Sequence, residues 1–267
     1  MSIASANLPT PIYNTAKIPF AHLPLIKDSQ GRLMALETIA LPGTRFRCIA
    51  EKDGSVQVET AEYPSSDPLY VDKRFLIYGD VEGRQKVLPS PNTILQWIQS
   101  CKGSRYLWGG NWNQGIPILQ DFYPGLDKDE FLQGVDCSGL LYQATNGCTP
   151  RNTSQLCSFG EELKIQHLSP EEMVKYLQPL DLMVWRGHVL IVVSPGRFIE
   201  SRIDQGVVES DFEPRYREAI EKLAGKPFYF RRWHPELPKE EAVRSGQRRL
   251  EFGTTIPQSD PCPNSHA

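Results

Sequence analysis

The sequence predicts an α+β fold, and three observations carry that expectation. Between residues 92 and 232 the helix-compatible runs come first and a meander of strands follows, an order that speaks against a doubly wound sheet. Ahead of them, residues 18–78 break into short apolar runs separated by turn signals: Asp28-Ser29-Gln30-Gly31, Pro42-Gly43, Lys52-Asp53-Gly54 and Pro64-Ser65-Ser66-Asp67-Pro68. Short strands at such spacing predict a small β-barrel. Third, Pro89 and Pro91 form a short linker, which places a domain boundary near residue 90.

Residues 1–15 contain Pro and Asn and read as an extended arm. Strand-like pieces follow at Thr44–Ala50, Ser55–Thr60 (Val56 and Val58 alternating) and Leu69–Val71. Ile94, Leu95, Trp97 and Ile98 recur at helical spacing and predict a helix over 92–102. A Gly- and Trp-rich loop covers 106–115, and the irregular stretch up to Gln133 is long enough to suggest a functional role. Asp136 caps the next predicted helix, which runs from Cys137 to a stop at Asn146-Gly147. Ser169-Pro170-Glu171-Glu172 opens a helix over 170–177. Strands are expected at Leu182–Trp185, Val189–Val193, Arg197–Ser201 and Pro227–Arg232, with a helix around Pro214–Leu223. The resulting division is 1–90, 91–236, and a charged, Pro-rich tail over 237–267.

Composition narrows the function. The 267 residues are 40% hydrophobic and 23% charged, as expected of a chain with a real core. A net charge of −3 gives no electrostatic case for nucleic acid. No stretch approaches the ~18 apolar residues of a transmembrane helix. The first thirteen residues lack the basic and apolar regions of a secretory signal. A cytoplasmic placement is the expectation, with export by a route the sequence does not advertise left open. The six cysteines (48, 101, 137, 148, 157 and 262) form no CxxC pair, so reduced thiols, no metal and no cofactor are expected.

Chemistry centres on Cys137, in Asp136-Cys137-Ser138-Gly139. A thiol on the first turn of a helix lies at the positive end of the helix dipole, which favours the nucleophilic thiolate. Fifty-one residues later, His188 opens the apolar run Val189-Leu190-Ile191-Val192-Val193. A thiol and an imidazole so placed are the two parts a cysteine acyl-transfer enzyme needs. Each residue alone also fits a structural role, as a buried thiol or a satisfied core histidine. Gly109-Gly110 is not followed by a Walker Lys-Ser/Thr and reads as a tight turn. Trp108 and Trp112 taken singly read as packing.

The order Tyr106-x-Trp108-Gly109-Gly110, Asp136-Cys137-Ser138-Gly139-Leu140, Asp181-Leu182-x-Val184-Trp185 and His188-Val189 resembles the NlpC-type cell-wall cysteine peptidases. Pro150-Arg151-Asn152-Thr153-Ser154-Gln155 is similar to the Pro-Arg-Thr-rich stretch after their nucleophile helix. The likeness covers about residues 92–234. Pro42-Gly43, the Asp53-Gly54 turn and Val56-x-Val58 resemble, more loosely, the bacterial SH3-like domain that often precedes this catalytic domain. The resemblance implies a papain-like domain with Cys137 as nucleophile and His188 as general base and acid. Tyr106, Asp136, Ser138 and Trp108 would bind substrate, a peptidoglycan stem peptide or freed muropeptide cut between D-glutamate and a diamino acid. The family usually carries His, Asn or Gln twelve residues after the base. This chain has Glu200 there, which as an acceptor for the imidazole Nδ1–H would hold its tautomer. Leu180 likewise replaces the glycine usual before Asp-Leu. Two alternatives stand beside the peptidase: an acyltransferase or amidase on another γ-glutamyl or lipid substrate, and a peptide-binding module whose cysteine site has decayed.

Overall fold

The computed structural model describes residues 2–21, 23–79 and 82–234; the expected tail over 237–267 lies outside them. The fold is α+β. It forms two compact units, one of Met1–Gln85, Gly103–Gln143 and Ser201–Val207, the other of Lys86–Lys102, Ala144–Glu200 and the chain from Val208.

The first unit is built on seven strands: β1 (Ser2–Ala6), β2 (Thr10–Tyr13), β3 (Leu36–Ala40), β4 (Arg45–Lys52), β5 (Ser55–Glu59), β6 (Leu69–Asp72) and β7 (Leu76–Tyr78). They form one antiparallel sheet in the order β3-β2-β6-β5-β4-β1-β7. The segment expected to be an extended arm is therefore strand. Ala4 and Ala6 are buried beside Phe46, Val56, Val58 and Val71, and Ile12 and Tyr13 are 1% exposed. Small apolar residues in Ser2–Ala6 alternate too weakly to announce a strand, and pairing on both edges supplies what the pattern lacks.

The helices and remaining strands are α1 (Pro91–Ser100), β8 (Asn111–Trp112), α2 (Leu119–Phe122), β9 (Gly134–Val135), α3 (Cys137–Ala144), α4 (Thr153–Leu156), β10 (Glu161–Glu162), α5 (Pro170–Tyr176), β11 (Leu182–Trp185), β12 (His188–Ser194), β13 (Arg197–Arg202), β14 (Gly206–Asp211), α6 (Phe212–Leu223) and β15 (Tyr229–Arg232). Sequence signals and structure agree closely where side-chain chemistry fixes a boundary. Ser90 caps α1, and Ser169 with Glu172 forms the full capping box of α5. Asn146 and Gly147, with φ of 51° and 68°, stop the chain after α3 in the left-handed region.

A second sheet runs β10-β15-β11-β12-β13-β14. Met173 and Leu177, at the C-terminal end of α5, and Phe212, Ala219 and Leu223 of α6 share one core with Met183, Leu190, Val192, Phe198 and Phe230 of its strands. Asp181, fully buried, ties the strand ends together. It accepts from Arg232 Nε at 3.0 Å and Nη2 at 2.7 Å, and from the Gln178 N–H at 2.8 Å. Leu180 before it sits at φ +73°, the left-handed region where a glycine is unstrained. Full burial of the leucine side chain offsets that strain.

Candidate functional site

Cys137 lies in the first unit, at the start of α3. Two parallel features fix it. The Asp136 carboxylate accepts from the Gly139 N–H at 2.7 Å and from the Ser138 hydroxyl at 3.2 Å, the predicted cap. The Asp136 N–H donates to the Gly110 carbonyl at 2.8 Å, which docks the Gly109-Gly110 turn on the helix start. That approach is close enough that a Cβ on Gly139 would stand 1.9 Å from the Gly110 oxygen. Gly139 is thus required by contact, not by its backbone angles. Cys137, Asp136 and Ser138 are 6%, 8% and 5% exposed.

Tyr106 and Trp108 are half-buried in the same unit, and Tyr106 bridges Val135, two residues before the thiol. Arg32 stacks over the Trp108 ring at 5.1 Å, and both line a cavity of about 140 Å³ with Tyr106, Arg105, Lys27 and Glu130. Asp136, Cys137 and Ser138 thus follow directly on β9, Tyr106 bridges the last residue of that strand, and Trp108 lies in the turn that leads into β8. Ser201 is buried and donates to the Val135 carbonyl at 2.7 Å, a structural bond.

Asn111 is a functional support that the sequence reading missed. Its carboxamide oxygen accepts from the Thr38 hydroxyl and the Ile39 N–H, and its NH₂ donates to the Ile39 carbonyl, each at 2.8 Å. The side chain pairs with β3 as another peptide group would. Polar at 0% exposure, it offered only its place after a Gly-Gly turn as a signal.

His188 and Glu200 lie in the second unit. The tight Arg186-Gly187 turn joins β11 to β12 and pairs Trp185 with His188, whose rings are 5.3 Å apart. The Gly187 N–H donates to the Thr153 hydroxyl at 2.9 Å. Continuing the Ile191–Ile199 pairing by one residue sets Leu190 opposite Glu200, so His188 and Glu200 share a sheet face one diagonal apart. His188 Nε2 and Glu200 Oε2 stand 2.5 Å apart. The ring nitrogen is thus Nε2 rather than the expected Nδ1. An ionised carboxylate only accepts, so Nε2 carries the proton.

Arg215 completes this group and was not foreseen. Its Nε and Nη2 donate to Oε1 and Oε2 of Glu200, the second at 2.9 Å. A signal existed: Phe212, Arg215, Ala219 and Leu223 form the buried stripe of α6, and a charge on such a stripe demands a buried counter-ion. Burial opposes ionisation of Glu200, but the hydrogen bonds from Arg215 and His188 outweigh it and hold the carboxyl at about 2. Asp181 is lowered in the same way, its burial outweighed by His234 and Arg232. A carboxyl lowered from an ordinary 4.5 to about 2 contributes stability that is complete above the higher value and is lost as pH falls toward the lower. A urea-unfolding series is expected to show that loss between about pH 4.5 and 2, and an E200Q/R215M protein should lose less stability across the same window.

Among the described residues, Cys48, Cys101, Cys137 and Cys157 are in no disulfide. Burial raises the thiols of Cys48 and Cys157 above their ordinary value, and that of Cys101 to about 11.

With this geometry in view, the solved structures that match the chain are instructive. They are NlpC/P60 proteins. An NlpC/P60 family protein from Bacillus cereus ATCC 10987 is 18% identical with a TM-score of 0.38, the match covering 87% of this chain and 63% of that one. NlpC2 from Trichomonas vaginalis is 15% identical at a TM-score of 0.35, over 88% of this chain and 74% of that one. RipD from Mycobacterium tuberculosis, described as a non-catalytic NlpC/p60 domain protein adapted to peptidoglycan binding, is 17% identical at 0.34, over 53% and 95%. The chain thus spans less than two thirds of the length of the Bacillus cereus protein. No family model matches the sequence, and no curated protein matches it. Likenesses below a TM-score of 0.5 add no weight to the role of any single residue. Among the described residues, no helix is long and apolar enough to cross a membrane.

Proposed function

We propose that the chain is an NlpC-type cysteine peptidase that hydrolyses peptidoglycan stem peptides or freed muropeptides between γ-D-glutamate and the following diamino acid. The observation that carries this reading is the His188–Glu200–Arg215 group of the second unit, taken together with a cysteine at a helix start in the first. A structural histidine needs one partner. One whose Nε2 proton is held by a buried, fully ionised carboxylate is a fixed tautomer, with Nδ1 as its basic nitrogen.

In the proposed reaction His188 Nδ1 takes the Cys137 proton and the thiolate attacks the γ-carbonyl of D-glutamate. His188 then protonates the leaving amine as the C–N bond breaks, giving a thioester. Water, deprotonated by the same imidazole, attacks the thioester carbonyl and returns the thiol. The backbone N–H of Cys137, with Tyr106, would stabilise the oxyanion. Asp136, Ser138 and Tyr106 are the proposed wall of the acyl side, with Trp108 a further substrate-binding residue. The N-terminal strands are read as the SH3-like part, and the catalytic domain as papain-like.

The test is incubation of the protein with L-Ala-γ-D-Glu-diaminopimelate peptides, N-terminally free and blocked, followed by mass analysis. Release of L-Ala-D-Glu supports the reading. Transfer to an added amine in place of hydrolysis points to the acyltransferase. Binding without cleavage, together with a Cys137 no more reactive than Cys48, points to a decayed module.

A further inference from the structure

We propose that Arg215 is a positioning residue that makes Glu200 a charge-balanced acceptor for His188, so that a carboxylate serves here where the resembled family uses a neutral amide or imidazole. The inference rests on the role given to His188 above.

Glu200 is 0% exposed, and both its oxygens are committed: Oε1 to Arg215 Nε, Oε2 to Arg215 Nη2 and His188 Nε2. Alone beside an imidazole, a buried carboxylate would either take up a proton or hold the ring as imidazolium. Both outcomes hinder a group that must cycle between neutral and charged forms in each turnover. A guanidinium cannot be deprotonated at working pH, and its planar fork fixes the plane of the carboxylate it clasps. Arg215 therefore cancels the charge of Glu200 and aims Oε2 at the ring.

Among the described residues, the following charged groups face the pair. Glu200 faces Arg215 and His188. Arg215 faces Glu200 and, at 3.3 Å, Glu218, whose own charge is shared with Lys222 at 2.6 Å. Counted together, the group is neutral when His188 is neutral. Stability alone is a weak reason for it, because a buried ion pair is often no better than apolar residues of the same volume. Arg215 occupies a position of the α6 stripe where Phe212, Ala219 and Leu223 show that apolar residues fit.

The experiment is an NMR titration of the His188 imidazole in the full chain, compared among parent, R215M, R215K and R232M. R215M leaves the Glu200 charge unbalanced and should move the His188 midpoint up by about one pH unit, tenfold in proton affinity. R215K keeps the charge and should stay near the parent. R232M removes a second arginine partner of a buried carboxylate in this unit, that of Asp181, and should lower stability without moving His188. E200Q should unfold at a lower temperature than E200Q/R215M, in which neither charge remains. Should R215M not fold, the ordering of E200Q against E200Q/R215M and the R215K titration decide the matter. Coincident titration of R215M and parent, or an E200Q protein as stable as the double variant, would overturn the proposal. None of these readouts needs turnover, so a chain that shifts as described and cuts no γ-glutamyl peptide refutes the peptidase and leaves Arg215 its role.

Discussion

Cys137→Ala is expected to fold as the parent does and to lose γ-glutamyl peptide cleavage by about 10⁴-fold or more, the scale on which removal of a covalent nucleophile acts. Folding survives because an alanine is well tolerated at a helix start and the cap belongs to Asp136, not to the thiol. Labelling gives an independent check. Iodoacetamide at mildly acidic pH should modify Cys137 first in the parent, because burial pushes the thiols of Cys48, Cys101 and Cys157 up and away from reaction. The same experiment on His188→Ala should abolish that preference, since the proton acceptor is gone. Uniform labelling of the parent would end the catalytic reading of Cys137.

Gly139→Ala should be nearly as damaging, for a different reason. The new methyl would stand 1.9 Å from the Gly110 carbonyl oxygen, with the Gly110 carbonyl carbon at 2.9 Å. Both obstacles are backbone, so no rotamer change relieves the clash. The Gly109-Gly110 turn must lift from the helix, losing the Asp136 N–H bond it accepts. Overpacking of this kind costs about 1–3 kcal/mol, and a lost buried hydrogen bond adds about 1 kcal/mol. Thermal unfolding should show the loss, and slowed alkylation of Cys137 should show that the helix start has moved. Replacement by serine should do no better, because the clash arises at Cβ. An alanine variant with parental stability and labelling would mean that the turn can yield at no cost.

How much was legible can be judged residue by residue. Cys137, Asp136 and the stop at Asn146-Gly147 were readable because capping chemistry is local: the donor and acceptor lie within a few positions. The strand boundaries from 182 to 202 were readable because continuous apolar runs betray a buried sheet. Arg215 was not, since its meaning lies fifteen residues away in a strand it does not touch in sequence. Asn111 bonds to residues 72 and 73 positions distant, and no spacing rule reaches that far. The Nε2 contact was missed because the choice of ring nitrogen follows from the strand diagonal, which needs the register. Ser2–Ala6 and Thr10–Tyr13 were missed because their neighbours in the sheet lie more than 20 residues away along the chain.

The Asn111 carboxamide has a wider consequence. It gives β3 the donor and acceptor that a neighbouring strand would give, so the turn docked on the start of α3 is sewn to residues 38 and 39. Gly109 presses against the same strand, where an added Cβ would meet the Leu36 carbonyl at 2.6 Å. The Cys137 helix start is therefore held, through that turn, by residues synthesised about a hundred positions before it. Its surroundings can be finished only once that sheet edge exists to receive them, which makes β3 a jig for the start of α3 rather than an accessory that could be cut away.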